Sequence, residues 1–226
     1  MGVISVKQEG GGLREQNKRD KLARIIAAAR DLFGRTGIDN TTLREVAAAA
    51  GVGTGTLFLY ARTKEDLLVV VFLAELQPVM DSAFEHIPQG TLHRQLLASF
   101  TPIIEHHSQN LLLSRPFLRD TLWVSEPHAA QVRAFTTTWL GRLVALVDGA
   151  RERGEIRSGV DPALVAQCAR HLFLGQLRTW VAGATTRAQF DATLPASLRL
   201  LLDGAAPATA AAAARSPAER PSRRRA

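Results

Sequence analysis

The sequence has a single cysteine, Cys168, among 226 residues. One thiol excludes an intramolecular disulfide and a metal cage built from cysteine, and it suits a reducing, cytoplasmic setting. Lysine is scarce beyond the N-terminal third: Lys64 is the last, and every later basic residue is arginine. No stretch of about 18 uninterrupted apolar residues is present to span a membrane. The opening MGVISVKQEGGGLREQNKRDK lacks the charged, apolar and small-residue order of a secretory leader. Strand patterning is missing too, since β-branched and aromatic residues nowhere alternate over a sustained stretch. Glu105-His106-His107 stands without H-E-x-x-H spacing or a carboxylate array, and no serine sits in G-x-S-x-G. The chain is therefore expected to be all-α, to hold no metal or cofactor, to have no membrane partner and not to be an enzyme.

What is present begins with charge. Residues 1–64 carry 11 Lys+Arg against 6 Asp+Glu, a net +5; residues 65–204 carry 12 against 14, a net −2; residues 205–226 carry 5 against 1, a net +4. A basic end on a near-neutral body is an electrostatic footprint for a polyanion. Charge alone fits equally a globular protein with charged tails. Residues 1–16 contain EGGG and no apolar periodicity, and read as a disordered arm. Residues 205–226, AAPATAAAAARSPAERPSRRRA, read as a disordered Ala/Pro/Arg-rich tail.

Between these ends the pattern is helical. From about Lys18 to Thr36, Leu22, Ile25, Ile26, Ala29, Leu32 and Phe33 fall on one face of a 3.6-residue period, and Gly37 is a natural stop. Thr42 and Glu45 have capping-box spacing and open a second helix that ends at Gly51. A third starts after Val52 and runs to about Tyr60 with Leu57 inward, and a fourth begins near Thr63. Further helices are expected from Thr91 to about Asn110, within SRPFLRDTLWV, and after Ser125-Glu126-Pro127 to Gly154. Another runs from Asp161-Pro162 to about Ala182. A last one ends at Gly204, where Pro195 should kink it or mark its true start.

The stretch AGVGTGTLFLY, residues 50–60, carries the most information. Gly51 lets the chain reverse between two short helices, through φ > 0. Gly53 and Gly55 strip side chains from the start of the next helix, so its backbone can approach a surface, and free N–H groups there suit phosphate. This is helix-turn-helix spacing, although a plain helical hairpin with a Gly-rich turn has the same outline. Phe33, Gly37, Thr42, Val46, Ala47, Ala50, Gly51, Val52, Gly55, Thr56, Leu57, Tyr60, Lys64 and Leu67 stand in fixed register. On those residues, positions 22–68 resemble the DNA-binding domain of the tetracycline-repressor (TetR) family of bacterial transcriptional regulators. Gly53, Thr54, Phe58 and Ala61 depart from the family pattern. Phe58 lacks the hydroxyl of the usual tyrosine, and Ala61 the bulk of the usual phenylalanine.

The resemblance implies a three-helix DNA-binding domain over residues 17–64 and a larger helical ligand-binding and dimerisation domain over 65–204. It places Thr42 and Lys64 at phosphate-contacting positions, with Thr56 and Tyr60 on the DNA-facing side. Thr42 has a second role open to it as a helix cap. Arg44 could reach a guanine edge or stay solvated. Thr54, Gly55 and Leu59 are the base-facing candidates; Leu59 could touch a thymine methyl or pack on its own domain.

In the C-terminal part, the helix from Pro162 is apolar over roughly 200° at about 100° per residue. A one-sided surface helix needs about half that arc, which implies burial on two sides. Leu164, Cys168, Leu172 and Gly175, with Leu198 and Leu201 of the last helix, are the expected dimer interface. The resemblance implies a small-molecule pocket among Trp123, Trp139, Phe173, Gln176 and Trp180, although ordinary core is the simpler account of any single aromatic. Gln176 has two arrangements open to it, a pair across the dimer axis or the polar anchor of an apolar ligand. The function implied is a homodimeric, sequence-specific DNA-binding regulator, a repressor released from a palindromic operator by a small, mostly apolar inducer. An activator or ligand-free regulator is the alternative, and a helical enzyme a remote one.

Overall fold

A computed structural model describes residues 9–120 and 126–207. Among the described residues every regular element is a helix: α1 Glu9–Thr36, α2 Leu43–Ala49, α3 Thr54–Leu57, α4 Lys64–Glu85, α5 Leu92–Gln109, α6 Leu111–Asp120, α7 His128–Glu152, α8 Pro162–Val181 and α9 Arg187–Ala205. Ser125 and Trp123 lie outside the described residues, as does most of the expected tail.

Local chemistry accounts for most boundaries. Thr63 and Asp66 form a reciprocal cap before α4, the Asp66 N–H donating to Thr63 Oγ1 at 3.0 Å and the Thr63 N–H to the Asp66 carboxylate at 3.3 Å. Asp161 accepts from the Ala163 N–H at 2.9 Å, with Pro162 at the first helical position of α8. Several boundaries differ from the sequence reading: α3 ends at Leu57 rather than near Tyr60, α6 starts at Leu111 rather than within SRPFLRDTLWV, and α1 and α9 start elsewhere. Helix α1 starts at Glu9 rather than near Lys18, so residues 9–16 are helical; extending an anchored helix costs far less than nucleating one. Helix α9 starts at Arg187, capped by Thr186, whose capping box with Gln189 is complete, and runs unbroken through Pro195. A proline removes one ladder bond, and here the helix continues past it.

The chain divides into two compact units. The first joins the residues up to Ser82 with Ile103–Thr136. Its fully buried side chains include Ile25 and Phe33 of α1, Val46 of α2, Leu57 of α3, and Leu67 and Val71 of α4. Phe72 of α4 stacks on Phe117 of α6 with centroids 4.1 Å apart and on His107 at 5.7 Å. Helix α4 is long and apolar enough to cross a membrane by length and composition alone. Its Leu67, Leu68, Val69, Val71, Phe72, Leu76 and Met80 are buried within the protein, as in a core helix.

The second unit joins Ala83–Pro102 with the residues from Thr137 onward. Phe100 of α5 stacks on Phe173 of α8 at 4.3 Å, and Trp139 of α7 meets both rings edge-on at 6.3 and 5.9 Å. Helices α8 and α9 pack on each other. The Leu92 N–H, which opens α5, donates to the Glu155 carboxylate at 2.7 Å. Arg153 bonds both Glu155 and Gln95.

Candidate nucleic-acid interface

The interface is built on how α2 and α3 are joined. Helix α1 ends at Gly37, at φ +81°, and its last carbonyls are taken up by Asn40 Nδ2 on Thr36 O at 3.0 Å and Thr41 Oγ1 on Gly37 O at 2.9 Å. Thr42 then caps α2. Its Oγ1 accepts from the Glu45 N–H at 3.2 Å, and the Glu45 carboxylate accepts from the Thr42 N–H at 2.7 Å. The Thr42 hydroxyl donates to that same carboxylate at 2.8 Å. These bonds, the backbone one first, hold the Glu45 carboxyl below its usual range.

Helix α2 stops in a Schellman turn. Gly51 adopts φ +63°, its N–H donates to Ala48 O at 3.1 Å, and the Val52 N–H reaches Ala47 O at 3.0 Å. A side chain would be strained there, so this glycine serves the turn. Gly55 is different. Its φ is ordinary, and a Cβ built on it would meet nothing within 4 Å. The fold does not require a glycine at 55, so the missing side chain leaves space on the outside of α3, where another body can come close to the backbone.

Helix α3 is four residues long, with Gly53 as N-cap and Phe58 as C-cap. Leu57 is fully buried and anchors it. The following turn presents Leu59, 83% exposed, and Phe58, 48% exposed. Leu59 thus faces outward and does not pack on its own domain. Phe58 was not among the sequence candidates. The missed signal was its place beside Leu59, one step past the residue that anchors the helix.

The other candidates divide by what their polar atoms already do. Arg44 is exposed, with no hydrogen bond or ion pair among the described residues. Lys64 Nζ donates to Asp39 O at 3.0 Å, which leaves its other protons free. Tyr60 spends its single proton on Lys18 O at 3.2 Å, tying the turn after α3 to α1. In the free protein neither it nor Thr42 has a hydroxyl proton to offer phosphate, so the donors in place are Lys64 and the exposed cations Lys18, Lys21, Arg24 and Arg44. Thr54 and Thr56 lie half-exposed beside Gly55.

Elsewhere in the first unit, a cleft of about 460 Å³ is lined by Arg30, Phe72, Glu75, Pro78, His106 and Asn110, among others. Burial pushes the Glu75 carboxyl up, partly offset by Arg30 at 3.7 Å, and burial pulls the His106 imidazole down.

In the second unit, Leu164 is exposed at 55%, Gly175 is exposed, and Cys168, Leu172 and Leu201 are half-buried. Leu200 of α9, absent from the sequence candidates, is 76% exposed. Leu198 corrects the expectation: it is completely buried in its own chain and cannot meet a partner. Helix-wheel spacing puts Leu198 and Leu200 on opposite sides of α9 but does not say which side faces inward; packing decides that. Gln176 Nε2 donates to Ser197 Oγ on α9 at 2.9 Å, and Gln176 Oε1 is buried without a donor among the described residues. Trp139 and Phe173 are pressed together with Phe100, and Trp180 lies against Phe190 at 5.3 Å, under the Arg187 guanidinium at 5.1 Å. The Trp139 Nε1 is buried with no acceptor among the described residues.

Residues 25–71 match the family model of bacterial regulatory proteins of the tetR family. The fatty acid metabolism regulator protein of Bacillus subtilis is 23% identical over 171 residues, covering 74% of this chain and 86% of that protein. The transcriptional repressor KstR2 of Mycobacterium tuberculosis is 26% identical over 180 residues, covering 76% of this chain and 86% of that protein. The crystal structure of Thermus thermophilus FadR, a repressor solved in complex with lauroyl-CoA, superposes with a TM-score of 0.67 at 26% identity, covering 81% of this chain and 94% of that one.

Proposed function

We propose that this chain is a transcriptional regulator of the TetR family, whose model its residues 25–71 match, and that it acts as a homodimeric repressor released from a palindromic operator by a ligand carrying an acyl chain. The observation that carries the DNA part is the bare outer side of α3: Gly55 leaves open space in the free protein, beside two outward apolar side chains and within a unit whose exposed cations suit a duplex. The protein acts in the bacterial cytoplasm, where operators are found. Two copies pair through α8 and α9. The exposed Leu164 and Leu200 support this, since large apolar side chains left in water on adjacent helices mark an interaction face. Two recognition helices set about one helical turn apart would then require a two-fold symmetric site.

The ligand class rests on the similar Thermus protein, solved with lauroyl-CoA, and on the orphaned Trp139 Nε1, a buried donor suited to a ligand carbonyl. The tight ring cluster of Phe100, Trp139 and Phe173 favours a second reading, a regulator that needs no small molecule. One experiment separates them. Operator fragments are selected from genomic DNA, and affinity is measured by fluorescence anisotropy with and without acyl-CoAs of graded chain length. Release by at least one chain length supports the first reading, and tight binding unaffected by any of them supports the second. Gly175→Arg tests the dimer in the same assay. A Cβ at Gly175 meets nothing within 4 Å, so the variant folds, while a charge in the interface splits the dimer and abolishes tight binding. A dimeric variant with wild-type affinity would move the interface elsewhere.

A further inference from the structure

We propose that this protein reads its operator chiefly through the 5-methyl groups of thymine, with Leu59 and Phe58 as the contacting side chains. The inference rests on the reading of the first unit as a duplex-binding domain and says how that domain recognises sequence. Residues 53–60 contain no Arg, Lys, Asn, Gln, Asp or Glu. Those side chains distinguish bases by hydrogen bonding in the major groove, through paired contacts to guanine or adenine or by accepting from cytosine. Tyr60 has committed its proton to Lys18 O, and Leu57 is buried. The polar side-chain groups left on α3 are the hydroxyls of Thr54 and Thr56. A hydroxyl both donates and accepts, so it pairs with any base and discriminates weakly.

Two large apolar side chains remain on the outside. Leu59 and Phe58 are adjacent, 83% and 48% exposed, and follow the open space at Gly55. Thymine is the one base whose major-groove edge carries an apolar group, the C5 methyl. The surrounding charge selects this occupant over a second protein: Lys18, Lys21, Arg24 and Arg44 are exposed in the same unit, and residues 1–64 carry a net +5. Phosphate contacts from these cations set the position of the domain without reading sequence. Arg44, exposed on α2, can read a guanine.

Replacing deoxythymidine by deoxyuridine deletes only the methyl and keeps every hydrogen-bonding group. Duplexes bound by the intact protein are first selected from a random pool. Each thymine of the selected site is then replaced singly. Burying one methyl contributes about 0.8 kcal/mol, so affinity should fall roughly fourfold at one or two thymines per half-site and stay unchanged at the others. Leu59→Ala and Phe58→Ala should weaken binding to the thymine site and bind the thymine and uracil forms equally at the position each one contacts. Both side chains are outside the core, and the uracil arm uses the unaltered protein, so the result does not depend on a variant folding. Equal affinity for the thymine site and for a site with every thymine replaced overturns the methyl reading and leaves DNA binding intact. A protein that selects no duplex at all overturns both.

Discussion

His107 gives the most quantitative expectation. Its ring is 1% exposed, stacked on Phe72 and tilted against Phe117. The Ser114 hydroxyl donates to the His107 carbonyl at 3.1 Å and so accepts from Nδ1 at 3.0 Å. Burial first, and the neighbouring His106 second, push the imidazole down to about 3 from an ordinary value of 6.5. The fold therefore favours the neutral ring. A group lowered in this way contributes its full stability above the unfolded value of 6.5 and loses it as pH falls toward 3. At pH 5 the unfolded chain is already about 1.5 units into protonation while the folded ring stays neutral, a loss of about 2 kcal/mol at 1.36 kcal/mol per unit. His106, also lowered by burial, adds in the same direction, and Glu75, raised by burial, opposes it. The comparison must therefore be a difference. Urea unfolding of wild type and of His107→Gln is followed by circular dichroism at pH 7.5 and pH 5. Wild type should lose about 2 kcal/mol more than the variant between the two conditions. The constant cost of the substitution cancels. Equal losses would refute the reasoning, as would a His107 ring resonance in the unaltered protein that titrates near its ordinary value.

Two further expectations concern side chains with different standing. Lys64→Ala should weaken binding to all duplex sequences alike and reduce the slope of log affinity against log salt by about one unit, because one phosphate contact releases about one counterion; an unchanged slope removes Lys64 from the phosphate set. Gln176→Leu should leave stability nearly unchanged, because the lost bond to Ser197, about 1 kcal/mol, is offset by removing an orphaned acceptor that costs about 1–3 kcal/mol. A fall above about 2 kcal/mol in denaturant unfolding would mean that Oε1 has a donor outside this chain.

The candidate interface was partly legible in the sequence. Gly51 and the Thr42–Glu45 pair could be read because their partners lie within five residues, so spacing alone fixes the bonds. Arg44 and Leu59 were recognisable as outward candidates because α2 and α3 are short and each has few inward positions. Tyr60 and Thr42 were harder. Whether a hydroxyl proton is free depends on what stands opposite it, and for Tyr60 that is a carbonyl 42 residues away. The aromatic residues proposed for a ligand site were identified as inward, but inward residues line a pocket or fill a core with the same periodicity.

The sequence by itself determined that the chain is helical, where most helices begin and end, and that its basic charge sits at the ends. These follow from local terms: caps, glycine at positive φ, and apolar spacing act over three to five residues, within reach of their own neighbours. Only the tertiary structure decided which of two nearby leucines, Leu198 or Leu200, is buried and which is left in water. It also decided that Gln176 is tied to Ser197, 21 residues on, and that Phe58 joins Leu59 on the outside of the turn after α3. Those outcomes depend on how helices pack, and burial is a property of the neighbours that a residue meets, which its own sequence position does not specify.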